Sequence, residues 1–337
     1  MSQINIRTLA KELGISPGTV SKALKDSHEI SADTKERVLA LAKKLNYVPN
    51  IYASSLRKKR SKTIAVVLPE VADSFFSLAI NGIESVAQKK GYHVLIYLTH
   101  ENFIKEQEIL NDFKNGRVDG VLISVTSETK HAQHINELQS SGVRVVMFDR
   151  VFENIQIAKV GTNDFESGLL ATEHLTACGC KRIAYLSISK NLSITNQRME
   201  GYKNALEENN LSASFSQILH CKNDEAYNYK ALKKMMQSHN RPDGILASVE
   251  KLIITVYTVC RELNVRIPQD VKVVGFSNLA SAGILNPSVT TIAQPAFEIG
   301  EAAALLLFKS LEKTGFNLNE KSINLPSKLV VRDSAKQ

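Results

Sequence analysis

Between Thr63 and Phe276, short apolar runs alternate with stretches of helical periodicity, and this alternation restricts the fold more than any other feature. The first run, Thr63–Pro69, is apolar almost throughout, as a parallel strand buried on both faces requires. After it the spacing predicts a helix over Phe75–Lys90, a strand at His93–Leu98 and a helix over Phe103–Asn115. A strand at Gly120–Ser124, a helix over Thr129–Ser140 and a strand at Arg144–Phe148 follow. A second series begins with a strand at Lys159. Its helices fall at Asp164–Ala177, Thr195–Glu208, Asp224–Ser238 and Lys251–Leu263. Between them lie strands at Arg182–Ser187, Phe215–His220, Gly244–Ala247 and Val271–Phe276. Repetition on this scale predicts an α/β protein with two doubly wound lobes built on parallel sheets. A long helix, Phe297–Lys313, and terminal strands at Ile323 and Leu329 complete the chain and leave several strands passing between the lobes.

Two such lobes form a cleft at the carboxyl ends of their strands, where doubly wound sheets bind ligands. Asp73 and Phe75 follow the first strand, Asp149 and Arg150 the fourth, and Ser277 and Asn278 a late strand of the second lobe. No GxxxxGK[ST] or GxGxxG loop follows any of these strands, and neither GxSxG nor HExxH is present. Enzyme chemistry therefore has no visible foothold, and no cofactor is expected. A cleft of carboxylates, guanidinium and aromatic rings instead suits a polyhydroxylated ligand, with hydrogen bonds to vicinal hydroxyls and a ring against a sugar face.

The N-terminus has a different character. In Arg7–Leu24, RTLAKELGISPGTVSKAL, Leu9, Ala10 and Leu13 give one helix an apolar face, and Gly14 permits a sharp turn. Ser16 is placed to cap a second helix, with Pro17 at its first position. Val20, Ala23 and Leu24 point inward, so Gly18, Thr19, Ser21, Lys22 and Lys25 face out, the arrangement that a helix-turn-helix presents to the major groove. A third helix starts at Ser31 and buries Val38, Leu41, Ala42 and Leu45 before Tyr47-Val48-Pro49 ends it. Residues 1–60 hold 12 Lys+Arg against 5 Asp+Glu, and the remainder 30 against 29, so nearly all of the net charge of +8 sits on this module. A basic headpiece on a near-neutral body is what attraction to nucleic-acid phosphates requires. Asn50–Arg57 then reads as a short helix capped by Asn50, with Ala53 and Leu56 on one side and a basic run after it. Eight residues cannot hold an isolated helix, so this one is expected to fold on DNA, with Leu56 as a minor-groove wedge.

The longest apolar runs are far too short to span a bilayer, and the N-terminus has no secretory signal pattern, so a cytoplasmic protein without membrane contact is expected. Cys178, Cys180, Cys221 and Cys260 are too scattered for a disulfide framework. His131 and His134 read as part of a solvated helix face without acidic partners, and no metal site is expected.

Taken together, ELGISPGTVSKAL, ISADTKERV, LNYVPN, NIYASSLRKKRSKTIAVVLP, VDGVLIS, FDR, RPDGILAS, VRIPQDVKVVGFSN and PSVTTIAQP resemble the LacI/GalR transcription regulators over essentially the whole chain. The resemblance implies a helix-turn-helix headpiece at 1–49, a hinge helix and linker at 50–60, and a periplasmic-binding-protein-like ligand-binding and dimerisation core at 61–337. Within the core it implies one lobe of about 61–160 plus 293–323, and a second of about 161–292 plus 324–337. The implied partners are a palindromic double-stranded DNA operator, a small effector of the sugar class and a second copy of the chain. Matched by position, Pro17, Gly18 and Lys22 look like base-reading positions. Ser16, Thr19, Ser21, Lys25, Ser31, Thr34 and Asn50 look like phosphate or supporting contacts, and Ala53, Leu56 and Arg57 like hinge contacts. Asp73, Phe75, Asp149, Arg150, Arg198, Asn223, Glu250 and Ser277 look like cleft positions.

Departures from the pattern matter as well. Gly18 removes a base contact, and Lys22 stands where Arg is common and lacks its planar fork. Val249-Glu250 replaces Asn-Asp, and Ser277-Asn278 replaces an acidic pair, so the effector should differ from those of the best-known members. A solute-binding protein without a DNA role and a sugar-metabolising enzyme on the same fold are the competing readings.

Overall fold

The computed structural model describes residues 4–47, 61–152, 155–211, 217–313 and 321–336. The expected hinge helix, with Asn50, Ala53, Leu56 and Arg57, lies outside the described residues. The chain divides into two compact units, Met1–Lys59 and Arg60–Gln337.

The first unit contains α1 (Ile6–Leu13), α2 (Pro17–Ala23) and α3 (Ala32–Lys44). Each begins at a polar cap. Asn5 Oδ1 accepts from the Arg7 and Thr8 amides at 2.9 and 3.2 Å, Ser16 Oγ from the Thr19 amide at 3.1 Å, and Ser31 Oγ from the Thr34 amide at 3.4 Å. Gly14 ends α1 in the left-handed region, φ 66°, where a Cβ would be strained. Leu9, Ala10, Val20, Ala23, Val38 and Ala42 form a single small core, with Leu41 and Leu45 partly buried against it.

The second unit has two six-stranded sheets. In chain order its elements are β1 (Thr63–Leu68), α4 (Ser74–Lys89), β2 (His93–Leu98), α5 (Phe103–Phe113), β3 (Gly120–Ile123), α6 (Gln133–Ser140), β4 (Arg144–Phe148) and β5 (Ala158–Thr162). Then come α7 (Asp164–Ala177), β6 (Ile183–Ser187), α8 (Ser193–Glu208), β7 (Gln217–His220), α9 (Glu225–Met236), β8 (Gly244–Ala247), α10 (Glu250–Glu262) and β9 (Lys272–Phe276). The last are β10 (Thr290–Ala293), α11 (Ala296–Glu312), β11 (Ser322–Leu325) and β12 (Lys328–Val330).

The first sheet runs β11-β5-β4-β3-β1-β2, with every pairing parallel. The second runs β12-β10-β9-β8-β6-β7 and is parallel except for β10 with β12. Its strand β10 has only four residues, TTIA, and its apolar pattern is too short to announce a strand. The chain passes between lobes after β5, after β10 and between β11 and β12. Two of these passages are joined where Asn163 Oδ1 accepts from the Ser327 amide at 2.9 Å.

Each lobe contains one helix pair packed backbone to backbone. In the first, a Cβ on Gly82 of α4 would stand 2.0 Å from the Phe297 carbonyl, and one on Gly300 of α11 would stand 2.0 Å from that of Ala79. In the second, Gly168 of α7 faces the Arg198 carbonyl and Gly201 of α8 faces that of Phe165. The glycines let these helices approach so closely, and the second crossing fixes where Arg198 stands.

One expectation is overturned here. His131 is exposed, but His134 is buried, and its Nε2 lies 2.7 Å from Oε1 of the fully buried Glu106 on α5. Thr129 and the Thr126 amide also donate to Glu106. This cluster holds residues 126–129 out of the helix, so α6 starts at Gln133 rather than Thr129. The acidic partner comes from a neighbouring helix, which sequence spacing cannot reveal. All four cysteines are free.

Candidate functional site

Residues from both lobes enclose a cavity of about 30 Å³ at the carboxyl ends of the strands. Seven of the eight expected cleft residues line it: Asp73, Phe75, Asp149, Arg150, Arg198, Glu250 and Ser277. Asn223 does not. It is exposed beyond β7, where its Oδ1 accepts from Lys251 Nζ at 2.7 Å. Phe76, Ile194, Phe276 and Gln294 also line the cavity without having been anticipated. Gln294 escapes because β10 escapes.

Two arginines are held in the same manner, one in each lobe. Arg150 donates from Nη1 to Glu101 at 2.7 Å, and its guanidinium lies 5.6 Å from the Phe76 ring centre. Arg198 donates from Nε to Asp164 at 2.7 Å and from Nη1 to the Ser248 carbonyl at 2.7 Å, with its guanidinium 3.9 Å from the Phe276 ring centre. Both arginines and both carboxylates are buried. Arg198 Nη2 has no partner among the described residues, nor has the buried Nε2 of Gln294. A buried donor without a partner costs roughly 1–3 kcal/mol, so each favours an incoming acceptor.

The carboxylates are less settled. Asp149 occupies the left-handed region, φ 58°, and no donor among the described residues reaches its side chain. Burial pushes its pKa up to about 6, against the lowering influence of Arg150 and Arg198. Burial, helped by Glu250, likewise raises the Asp73 carboxyl, whose Oδ1 caps α4 by accepting from the Phe75 amide at 2.9 Å. Glu250 spans the cleft. It accepts from the Ser74 amide at 3.2 Å and from the Ser74 hydroxyl on one lobe, and from the Ser277 hydroxyl at 2.5 Å on the other. The replacement of Asn-Asp by Val249-Glu250 thus places a longer carboxylate where it clasps both lobes.

In the headpiece, Pro17, Gly18 and Lys22 are exposed on α2, as is Lys25 just beyond it, while Thr19 and Ser21 are half-buried. Ser16 and Ser31 act as caps, each 2.9 Å from a threonine hydroxyl, Thr19 and Thr34 respectively. Lys22 makes an ion pair with Glu29, seven residues further along the chain.

Residues 5–50 match the lacI family of bacterial regulatory proteins, and residues 61–329 match the periplasmic binding proteins and sugar binding domain of the LacI family. The ribose operon repressor of Halalkalibacterium halodurans is 33% identical over 98% of this chain and 97% of its own. Catabolite control protein A of Priestia megaterium is 28% identical over 99% of each. Among solved structures, a LacI family regulator from Enterococcus faecium with bound ribose is 26% identical, with a TM-score of 0.71 over 81% of this chain and 98% of that one. The lac repressor dimer bound to operator and the anti-inducer ONPF shares the fold, with a TM-score of 0.86 over 99% of both chains at 22% identity. A headpiece match beside the core match sets aside both a solute-binding protein without a DNA role and a sugar-metabolising enzyme. The chain belongs to the LacI family of DNA-binding transcription regulators.

Proposed function

We propose that this protein is a homodimeric repressor in the cytoplasm whose affinity for a palindromic operator is set by a small polyhydroxylated effector bound between the core lobes. The convergence of seven side chains from both lobes on one cavity, with the buried Arg198 Nη2 beside it lacking a partner among the described residues, supports this reading best. Arg198, Asp149, Asp73 and Gln294 supply the polar contacts, and Phe75 and Phe276 the apolar faces. Glu250 couples effector occupancy to lobe closure, because a ligand between the lobes competes for the carboxylate that Ser74 and Ser277 now share. In the headpiece, Lys22 reads bases from a helix face on which Pro17 and Gly18 hold the other base-facing positions, while Thr19, Ser21, Ser31 and Thr34 support phosphate contacts. The relatives' names put ribose first among effectors to try. No helix among the described residues is long and apolar enough to cross a membrane.

Gel-shift titration of palindromic against scrambled DNA at several salt concentrations tests the reading, with and without sugars that raise the melting temperature. Specific binding should survive salt that removes nonspecific binding, and a binding sugar should change it. Equal affinity for both DNAs at every salt concentration overturns it.

A further inference from the structure

Resting on the reading that the cleft holds the effector, we infer that this effector carries a protonated amine on its polyhydroxyl frame. The cavity lining contains three carboxylates, Asp73, Asp149 and Glu250, and two cations, Arg150 and Arg198. Each of those cations is already matched by a carboxylate of its own, Glu101 or Asp164, at 2.7 Å. The ionised site therefore holds five carboxylates against two guanidinium groups. Lys251 does not redress this. It is not part of the lining, and its ammonium is held by Asn223 at 2.7 Å with Glu70 3.9 Å away.

Three buried donors of the lining, Arg150 Nε, Arg198 Nη2 and Gln294 Nε2, on residues 6%, 2% and 8% exposed, have no partner among the described residues. They provide for hydroxyl oxygens. The Asp149 carboxylate, reached by no donor among the described residues, provides for a strong donor, and an ammonium supplies three N–H groups and the missing positive charge. The raised pKa values of Asp73 and Asp149 agree, since a bound cation would lower both. An anionic effector such as a phosphosugar would add to the excess negative charge, since each guanidinium is already balanced by a carboxylate of its own.

The test is calorimetric titration of the full-length protein at about pH 7 with matched sets. D-Glucosamine, D-galactosamine and 1-amino-1-deoxysorbitol are compared with D-glucose, D-galactose and sorbitol, and with the 6-phosphates of glucose and galactose. At least one amine should bind roughly tenfold or more tightly than its neutral counterpart. The phosphates should not bind. In Asp149→Asn and in Asp73→Asn the preference for amine over neutral sugar should shrink, whatever happens to overall affinity. A neutral or phosphorylated compound that binds best, and loses its binding in Arg198→Ala, overturns the charge assignment while leaving the cleft as the effector site. Failure of every amine to bind overturns it too.

Discussion

A Cβ added to Gly168 would stand 2.2 Å from the carbonyl oxygen of Arg198. Both atoms belong to packed helices, so no flexible side chain can yield. Gly168→Ala must separate α7 from α8, and overpacking of this kind costs about 1–3 kcal/mol. The same shift stretches the Asp164–Arg198 bond. We expect a lower denaturant midpoint for the core and a weakened effector response, both read on the purified variant. An unchanged midpoint would show that the crossing is looser than described.

Arg198 and Asp164 should be far from additive. Removing one partner leaves a buried charge uncompensated, at about 3–5 kcal/mol, whereas replacing both by apolar groups of similar size is often neutral. Arg198→Met should therefore destabilise the core much more than the double variant Arg198→Met with Asp164→Leu. Neither variant should respond to effector, while specific operator binding should persist in the double variant. A double-mutant cycle by urea unfolding reads the coupling.

Asp149 makes stability depend on pH in an uncommon direction. Its pKa is about 6 when folded and 3.8 when free, so the folded protein holds the proton more tightly. Its contribution is fully favourable below about pH 4 and is lost as pH rises through about 6. Asn tolerates the left-handed backbone that Asp149 adopts. Asp149→Asn should match the parent protein near pH 4 and exceed its stability near pH 7, by up to about 3 kcal/mol. Melting curves across that range check the sign, and a variant that is weaker at neutral pH would contradict it.

On the proposed reading, Glu29, which pairs with Lys22, competes with DNA for its ammonium. Glu29→Gln frees this ammonium and removes a negative charge from the DNA-binding face. Affinity should rise on specific and nonspecific DNA alike, with a steeper dependence on salt. The fold should barely respond, because an exposed pair is worth 0–1 kcal/mol.

If Leu56 is the wedge that the family resemblance implies, Leu56→Ala should weaken specific binding much more than nonspecific binding, because a wedge acts only where the site is bent. Parallel losses on both DNAs in a gel shift would contradict the assigned role.

The two sheets were legible in sequence where strands are continuous apolar runs: β2, β4 and β8 fall where the pattern places them. Strand β10 was not, because four residues of mixed polarity carry no period, and Gln294 was lost with it. Strand-end position was enough to gather Asp73, Asp149 and Ser277 around one cavity, since parallel topology alone brings those ends together. The partners were hidden. Glu101 for Arg150, Asp164 for Arg198 and Glu106 for His134 lie 49, 34 and 28 residues away, distances at which no spacing rule operates. Asn223, placed at the cleft by the resemblance alone, lies outside the cavity lining, with its Oδ1 accepting from Lys251 Nζ.

The three passages of chain between the lobes have a mechanical meaning. A single tether would let one lobe swivel freely, whereas three, two of them pinned together by Asn163 and Ser327, resist twist and shear and permit mainly a hinge-like rocking. Whatever fills the cavity can then speak to the rest of the molecule through one variable, an angle. Chemically unlike molecules become comparable by how far they hold the jaws apart.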